Sequence, residues 1–430
     1  GVMRKNLNKI VAFAIGVSVI SGSIVPAMAA DIINTDTIVN TQTQASTEKK
    51  VLTVDDAVKA AIANSNSLAL LDKSIKLQES ANNLSEKIDD VSKKSDLDED
   101  YNEDTRKLTL NQLKQSRDFA EDKLAQDTTD AFNNIVTSKI NIDKQKSDIA
   151  IKERSLEQSK LQQKLGLVTS MQIEGIELSL QSLKNDLKKS EDAFNDVKSS
   201  FKADTGLDVD NYILDDTIKY IKFELDGDLD EYLDNIIDEY LSYNEQIYEL
   251  DKEYWNDDDN KVKAPTKPSD EDLYNAAPSI DKYLEGKETA DDKIDAIKKY
   301  IADSSSYQSG VSSYISDITA RLTYLQKKFA LDKSETELIE KKKAYKEGLR
   351  TIYTSLKSLE DSIDLIQKNI DLQNNQVRIA KVNYDLGLMT KLDYDTKVND
   401  CETLNAQLRT VINSYNKLKS QLEKPWIALS

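Results

Sequence analysis

The stretch Leu165-Gly166-Leu167-Val168-Thr169-Ser170-Met171 recurs in outline as Leu386-Gly387-Leu388-Met389-Thr390-Lys391-Leu392, 221 residues later (387 − 166). Each copy lies between two long runs of apolar residues at helical spacing. Glycine suits a left-handed turn after a helix because it has no Cβ, and the threonine three residues later accepts backbone N–H bonds from the next helix. Each copy is therefore predicted to be the tip of a helical hairpin.

The similarity between the two halves extends beyond the tips. At the same offset, apolar residues recur at intervals of three, four and seven, which is the heptad pattern of packed helices. We therefore predict two tandem copies of one very long coiled-coil hairpin rather than a solenoid of short units. The matched positions are Leu180, Leu183, Leu187, Phe194, Val197 and Phe201 in the first copy and Cys401, Leu404, Leu408, Tyr415, Leu418 and Leu422 in the second.

Composition indicates a fold that is all-α or nearly so. Of the 430 residues 31% are charged, and 11 glycines and 5 prolines are too few for an all-β protein. The chain contains no histidine, the commonest general base and metal ligand, so we expect no enzyme activity, metal or cofactor. The lone cysteine, Cys401, lies on the heptad seam and is predicted to be a buried small apolar residue rather than a reactive thiol.

The first 29 residues are predicted to be a signal peptide. Three basic residues precede an apolar run that ends at Ala27-Met28-Ala29, a small-x-small cleavage site; the alternative is an uncleaved anchor helix. Cleavage would change the net charge from −19 to about −22 (−19 − 3), which argues against nucleic acid as a partner. Residues 30–50, rich in threonine, asparagine and glutamine, are predicted to be a flexible lead-in.

The rest of the chain is predicted to contain two repeats, an equatorial link, an insertion and a tail. The predicted ranges are the first repeat at 51–205 with its tip near 166–170, the link and second opening at 206–254, the acidic, proline- and serine-rich insertion at 255–318, the second long hairpin at 319–424 with its tip near 387–391, and the tail at 425–430.

Two segments, 82–106 and 255–318, interrupt the heptads with acidic, proline and serine clusters. The long helices are accordingly predicted from about Lys107 to the first tip and from near Leu322 to the second. Both interrupting segments are predicted to be soluble helical or loop caps. The acidic run Asp96–Asp100 begins like a calcium loop but has tyrosine where that loop needs glycine, so we predict a solvated loop.

A second apolar stripe, offset from the first, follows the helix that leads to the first tip. Such a stripe predicts that the helix has neighbours on more than one side, as in a closed ring of several chains. Its members are Phe132, Val136, Ile140 and Ile151.

The start of the first repeat resembles the repeat opening of the TolC-type outer-membrane efflux factor family. The resemblance rests on Leu52-Thr53-Val54-Asp55-Asp56-Ala57-Val58, followed by Asn64 and Leu68, and on a degenerate second opening from Leu229 to Ile247. The turn pattern of the family is matched at Tyr384, Gly387, Thr390 and Asp393, and in the first copy at Gly166 and Thr169. The order of opening, tip, opening and tip carries the resemblance across essentially the whole mature chain.

This resemblance implies a fold and a function. In the family three chains form a tube of twelve helices, whose tips dock to a membrane-fusion adaptor and an inner-membrane pump of the RND or ABC type. The chain is thus expected to be an exported, homotrimeric duct of the cell envelope in an efflux or type I secretion-like system. The residues implied in adaptor docking are Gly166, Leu167, Val168, Thr169, Gly387, Leu388, Met389 and Thr390.

The resemblance also implies an acidic constriction. The family carries an aspartate six residues after the tip glycine, at the closed end of the tube, and this position is Asp393, with Asp395 next to the second acidic position of the family. Three such aspartates around an axis would favour cations. Two plainer interpretations stay open: Asp393 as an ordinary acid in the first turn of a helix, and apolar tip residues that pack on each other.

The family places the strands of its outer-membrane barrel in the two interrupting segments. A spanning strand needs about nine to eleven residues that alternate apolar with polar, and neither segment offers such a run. Direct membrane insertion is therefore not expected. The missing strands favour an alternative, a non-conducting exported coiled-coil envelope protein such as a wall spacer or adhesin, whereas the doubled tip favours the duct.

Overall fold

The computed structural model describes residues 48–266 and 276–429; the predicted signal peptide and most of the lead-in lie outside them. The described part is almost entirely helical, which confirms the predicted fold class. Its helices are α1 Val54–Asn64, α2 Asn66–Ser92, α3 Asp96–Lys164, α4 Ser170–Thr205, α5 Leu229–Tyr240, α6 Ser242–Asn256, α7 Ile280–Leu284, α8 Ala290–Asp385 and α9 Lys391–Glu423. Two three-residue strands, β1 Lys50–Leu52 and β2 Tyr212–Leu214, pair in parallel.

The chain divides into two compact units. The larger unit comprises Lys49–Asp257 and the chain from Ala330 onward, and the smaller unit includes Asp258–Phe329. Helix α8 contributes residues 290–329 to the smaller unit and 330–385 to the larger one. None of the described helices combines the length and the apolarity that crossing a bilayer requires.

Helices α3 and α4 form the first hairpin of the larger unit. With 69 residues, α3 is roughly 105 Å long at 1.5 Å per residue. Three salt bridges join the two helices. From one bridge to the next, the position moves seven residues forward along α3 and seven residues backward along α4, so all three share one antiparallel register. They are Lys146–Glu191 at 3.2 Å, Glu153–Lys184 at 2.8 Å and Lys160–Glu177 at 2.8 Å.

The end of this hairpin opposite the tip is closed by α1 and the two strands. Thr53 caps α1 in a capping box with Asp56. Phe132 and Val136 of α3 are buried here against Phe201 of α4 and the first strand. The offset stripe is therefore covered at these positions within one chain, and the prediction that it contacts other chains is wrong for them.

The second hairpin consists of the 330–385 part of α8 and of α9, with α5 packed against both. Tyr415 is fully buried between them, and its hydroxyl donates to Glu360 Oε1 at 3.0 Å and accepts from the N–H of Phe223 at 2.6 Å. Phe223 belongs to the link between the hairpins, in a segment without regular secondary structure. Cys401 is buried and donates to Asn374 Oδ1 at 3.1 Å, which confirms its predicted burial.

The acidic run Asp96–Asp100 is helical, so the predicted solvated loop is wrong. Helix α3 begins at Asp96, not near Lys107, because Ser95 accepts from the N–H of Asp98 and the acids of the first turn lie where the helix dipole favours negative charge. The ring of Tyr101 stacks on Tyr254 of α6 at 3.9 Å. Acidic residues that look like a loop in sequence are thus the capped start of a helix.

Helix α8 begins at Ala290, so the predicted start near Leu322 is also wrong. Thr289 accepts from the N–H of Asp292 at 3.1 Å and caps the helix. The serine-rich cluster at 304–306 continues the helix rather than interrupting it. The predicted tail begins by packing on α3, since Trp426 stacks on Phe119 at 4.3 Å between ring centroids.

Candidate functional site: the paired hairpin tips

The first tip is closed by local backbone hydrogen bonds. Gly166 has φ +76°, in the left-handed region that side chains disfavour. The N–H of Leu167 donates to the carbonyl of Gln162 at 2.9 Å, which ends α3 in a Schellman motif. Thr169 Oγ1 accepts from the N–H of Gln172 at 3.3 Å, and Gln172 Oε1 accepts from the N–H of Thr169 at 2.8 Å. The predicted glycine turn and threonine cap are both confirmed.

The second tip has the same backbone geometry. Gly387 has φ +72°, and the N–H of Leu388 donates to the carbonyl of Asn383 at 2.8 Å. Thr390 Oγ1 accepts from the N–H of Asp393 at 3.1 Å and so caps α9. The two tips are therefore the same structural motif, as their sequences predict.

The side chains around the second tip differ from those around the first. The rings of Tyr384 and Tyr394 stack at 5.4 Å between centroids, and the ammonium group of Lys391 lies 5.6 and 5.4 Å from them. The corresponding contact of the first tip is a hydrogen bond from Gln163 to Ser170 at 3.0 Å. The second tip is thus tied by aromatic and cation–π contacts, and the first by polar side chains.

Both tips lie at the same end of the larger unit, because α3 and α9 run antiparallel side by side. Arg154 of α3 contacts Asp395 of α9. Eight residues from this contact toward the tips, Gly387 is level with Gln162. Gly166 extends four residues farther, or roughly 6 Å. The polar contacts that set this register are Arg154 with Asp395, Asp148 with Asn399 at 2.6 Å, and Asp130 with Lys417 at 2.7 Å.

Apolar side chains at both tips face solvent in the single chain. Leu167 is 72% exposed and Leu388, at the matching position, is 75% exposed. Val168 and Met389 are half-buried. At each tip, one apolar side chain is thus half-buried and the preceding leucine faces solvent.

The two candidate constriction residues have different surroundings. Asp395 is partly buried and paired with Arg154 of α3 and with Lys391 Nζ, the latter at 2.7 Å. Asp393 is exposed, and its carboxylate accepts from the Thr390 hydroxyl at 2.7 Å. Two cations therefore lie beside Asp395, whereas Asp393 lies at the surface. Asp393 is one of the residues that line a shallow concavity at the second tip. The others are Gly387, Leu388, Met389, Thr390, Thr396 and Lys397.

Sequence reasoning missed the polar contacts that join the two hairpins. Heptad counting follows apolar residues, and Arg154 and Asp148 of α3 have partners about 250 residues away in α9. No local pattern in the sequence marks such pairs. Only the antiparallel register itself brings them together.

Comparison with solved structures shows what this fold is similar to. A membrane protein from Pseudomonas aeruginosa matches with a TM-score of 0.52 at 9% identity, over 88% of this chain and 92% of that chain. A weaker match is the CmeC outer membrane channel of Campylobacter jejuni, with a TM-score of 0.45 at 12% identity over 92% of this chain and 94% of that chain. Another is the outer membrane protein VceC of Vibrio cholerae, with a TM-score of 0.43 at 11% identity over 85% of this chain and 96% of that chain.

At such identities the likeness concerns the fold alone. No protein-family model matches the chain, and no curated protein matches it in sequence. This fold is thus shared with a solved membrane protein, while the resemblance to TolC-type proteins stays a prediction from the sequence.

Proposed function

We propose that the chain is a subunit of a TolC-like duct of the cell envelope. Three copies form a helical tube, and the tips of each copy dock to a membrane-fusion adaptor that links the tube to an inner-membrane pump of the RND or ABC type. The observation that carries this proposal is the pair of equivalent tips at one end of the larger unit, each with an exposed leucine at the same position, Leu167 and Leu388.

A second apolar surface supports the assembly of several copies. Four apolar side chains at intervals of seven residues are exposed along α8 and at the residue that follows it, toward the second tip. Apolar stripes of this length are rare on monomeric proteins, and neighbouring copies in a ring would cover them. The four residues are Leu365, Leu372, Ile379 and Leu386.

The acidic constriction is assigned to Asp393. In a ring of three chains its exposed carboxylates would surround the axis at the tip end and favour cations over anions. Asp395 contributes less to this field, because Arg154 and Lys391 balance its charge.

The tip assignment is tested by the substitution Gly387→Val. A β-branched side chain at φ +72° disfavours the turn by roughly 1–2 kcal/mol, while the space around the glycine is open, so no other contact is disturbed. We expect adaptor binding, measured by surface plasmon resonance with a membrane-fusion adaptor of the host cell, to be lost while far-UV circular dichroism stays unchanged.

The matched control is Gly175→Val in α4, nine residues beyond the first tip glycine. Gly175 also has open space around it, but its backbone is helical, so the control variant should bind the adaptor normally. Unchanged binding by Gly387→Val would refute the docking role of the tip.

A further inference from the structure

A long apolar stripe lies on the part of α8 that belongs to the smaller unit. Its members occupy the a and d positions of a continuous heptad pattern and are between 39% and 70% exposed. The a positions are Ile294, Ile301, Ile315, Leu322 and Phe329, and the d positions are Ile297, Ile318 and Leu325, with the half-buried Val311 as a further d residue.

Positions beside and behind the stripe on the same helix already have partners within the smaller unit. Tyr300 packs against Tyr283 of α7 at 5.6 Å between ring centroids, and the Tyr283 hydroxyl donates to Asp303 Oδ2 at 2.6 Å. Arg321 donates to the carbonyl of Val262. Among residues 48–266 and 276–429, these contacts leave the stripe itself exposed.

The middle of the stripe has no charged neighbours along the helix, in a chain that is otherwise rich in charge. Residues 304–316 contain no charged side chain, although 31% of the whole chain is charged and its net charge is −19. The e positions beside the stripe are Lys298, Ser305, Ser312, Thr319 and Gln326, of which four are uncharged. Copies of a strongly acidic chain repel one another, and along residues 304–316 two copies can meet without like charges opposed.

We propose that this stripe is a contact between copies of the chain, in which residues 294–329 of each copy form a parallel, in-register coiled coil. Isoleucine at both a and d positions shifts coiled coils from two strands to three or four. The polar residues Ser304 and Gln308 at one d and one a position interrupt the apolar seam and fix the register, as single polar layers do.

This contact goes beyond the proposed duct, because it places a self-association seam in a segment that neither tip docking nor a tube of hairpins requires. A cyclic arrangement of identical chains also demands parallel, in-register helices at such a seam. The stripe thus predicts which residues of neighbouring copies face each other: each d residue meets its own equivalent.

Disulfide crosslinking tests this prediction in the full mature chain. In a Cys401→Ser background, which removes the only native thiol, Ile318→Cys and Leu325→Cys each place a thiol at a d position. Ser313→Cys places one at an exposed f position on the far side of the helix. After mild oxidation, we expect roughly tenfold more crosslinked dimer on non-reducing gels from both d variants than from the f control, since d side chains meet at the seam.

Crosslinking at neither d position, or equal crosslinking at d and f positions, would overturn the proposal. The proposal would also be overturned if the d variants did not crosslink and the chain floated with neutral phosphatidylcholine vesicles. That result would make the stripe a lipid-binding face. Adaptor binding at the tips is measured separately. If the chain binds the adaptor but does not crosslink, the coiled-coil contact is refuted and the proposed duct stands. If the chain crosslinks but does not bind the adaptor, the duct is refuted and the coiled-coil contact stands.

Discussion

At the scale of single residues, Asp89 shows how one buried carboxylate holds a turn together. It is 6% exposed and lies between Lys94 Nζ and Arg106 Nη1, both at 2.5 Å. Burial raises the pKa of Asp89, but hydrogen bonds and the charges of the two cations outweigh burial and bring the pKa below its ordinary value. The pair of cations thus ties the end of α2 to the start of α3.

This arrangement predicts a pH-dependent contribution to stability. Because the pKa of Asp89 is lower in the folded than in the unfolded chain, its contribution is complete above the unfolded pKa of about 3.9 and is lost as pH falls through the folded pKa. At pH 7, Asp89→Asn should lower the free energy of unfolding by about 2 kcal/mol, below the 3–5 kcal/mol of a fully buried pair because Lys94 is partly exposed.

Urea unfolding at pH 7 and at pH 3 measures this difference, and the gap between wild type and variant should shrink at the lower pH. The control is Asp90→Asn, since the neighbouring carboxylate is exposed and should contribute little at either pH. A gap that is equal at both values of pH would contradict the assigned pairing.

Residues whose role is local were predictable from the sequence. Gly387 and Thr390 act through bonds to residues within about four positions, so their identity and spacing carry the information. Arg154 and Asp395 act on each other across 241 residues. Their pairing depends on the register of two long helices, which no short motif encodes.

At the scale of elements, helix existence followed from periodicity, whereas helix starts did not. The acids at the start of α3 serve a helix N-terminus, although their density suggested a solvated loop. The stripe with Phe132 and Val136 suggested contacts between chains because its partners, α1 and the short strands, have too little periodicity to be foreseen as cover. Periodicity shows that a face is covered, but not what covers it.

Two leucines of α8 have different expected roles, one in the folding of the single chain and the other in the association of copies. Leu356 is fully buried in the second hairpin, and Leu372 is exposed. Leu356→Ala should lower the free energy of unfolding of the single chain by about 2–5 kcal/mol through lost burial and a cavity. Leu372→Ala should change it by less than about 0.5 kcal/mol, as surface substitutions do, yet raise the concentration at which copies associate.

Chemical unfolding of dilute chain and sedimentation over a concentration series measure these two effects. If Leu372→Ala left association unchanged, the exposed stripe of the second hairpin would not be a contact between copies.

At the scale of the whole molecule, the proposed function depends on association. The chain carries a net charge of −19, which opposes association, and yet it exposes two heptad stripes and two apolar tips in its described residues. Charge repulsion and apolar exposure of this extent in one chain are consistent only if specific contacts between copies or with a partner cover the apolar surfaces.

The most direct test is the solution mass of the mature chain, measured by light scattering after size exclusion at micromolar concentration. If three copies form one closed ring, we expect a species of about three times the chain mass. A species with the mass of one chain, unchanged over the concentration range and in the presence of the adaptor, would contradict it.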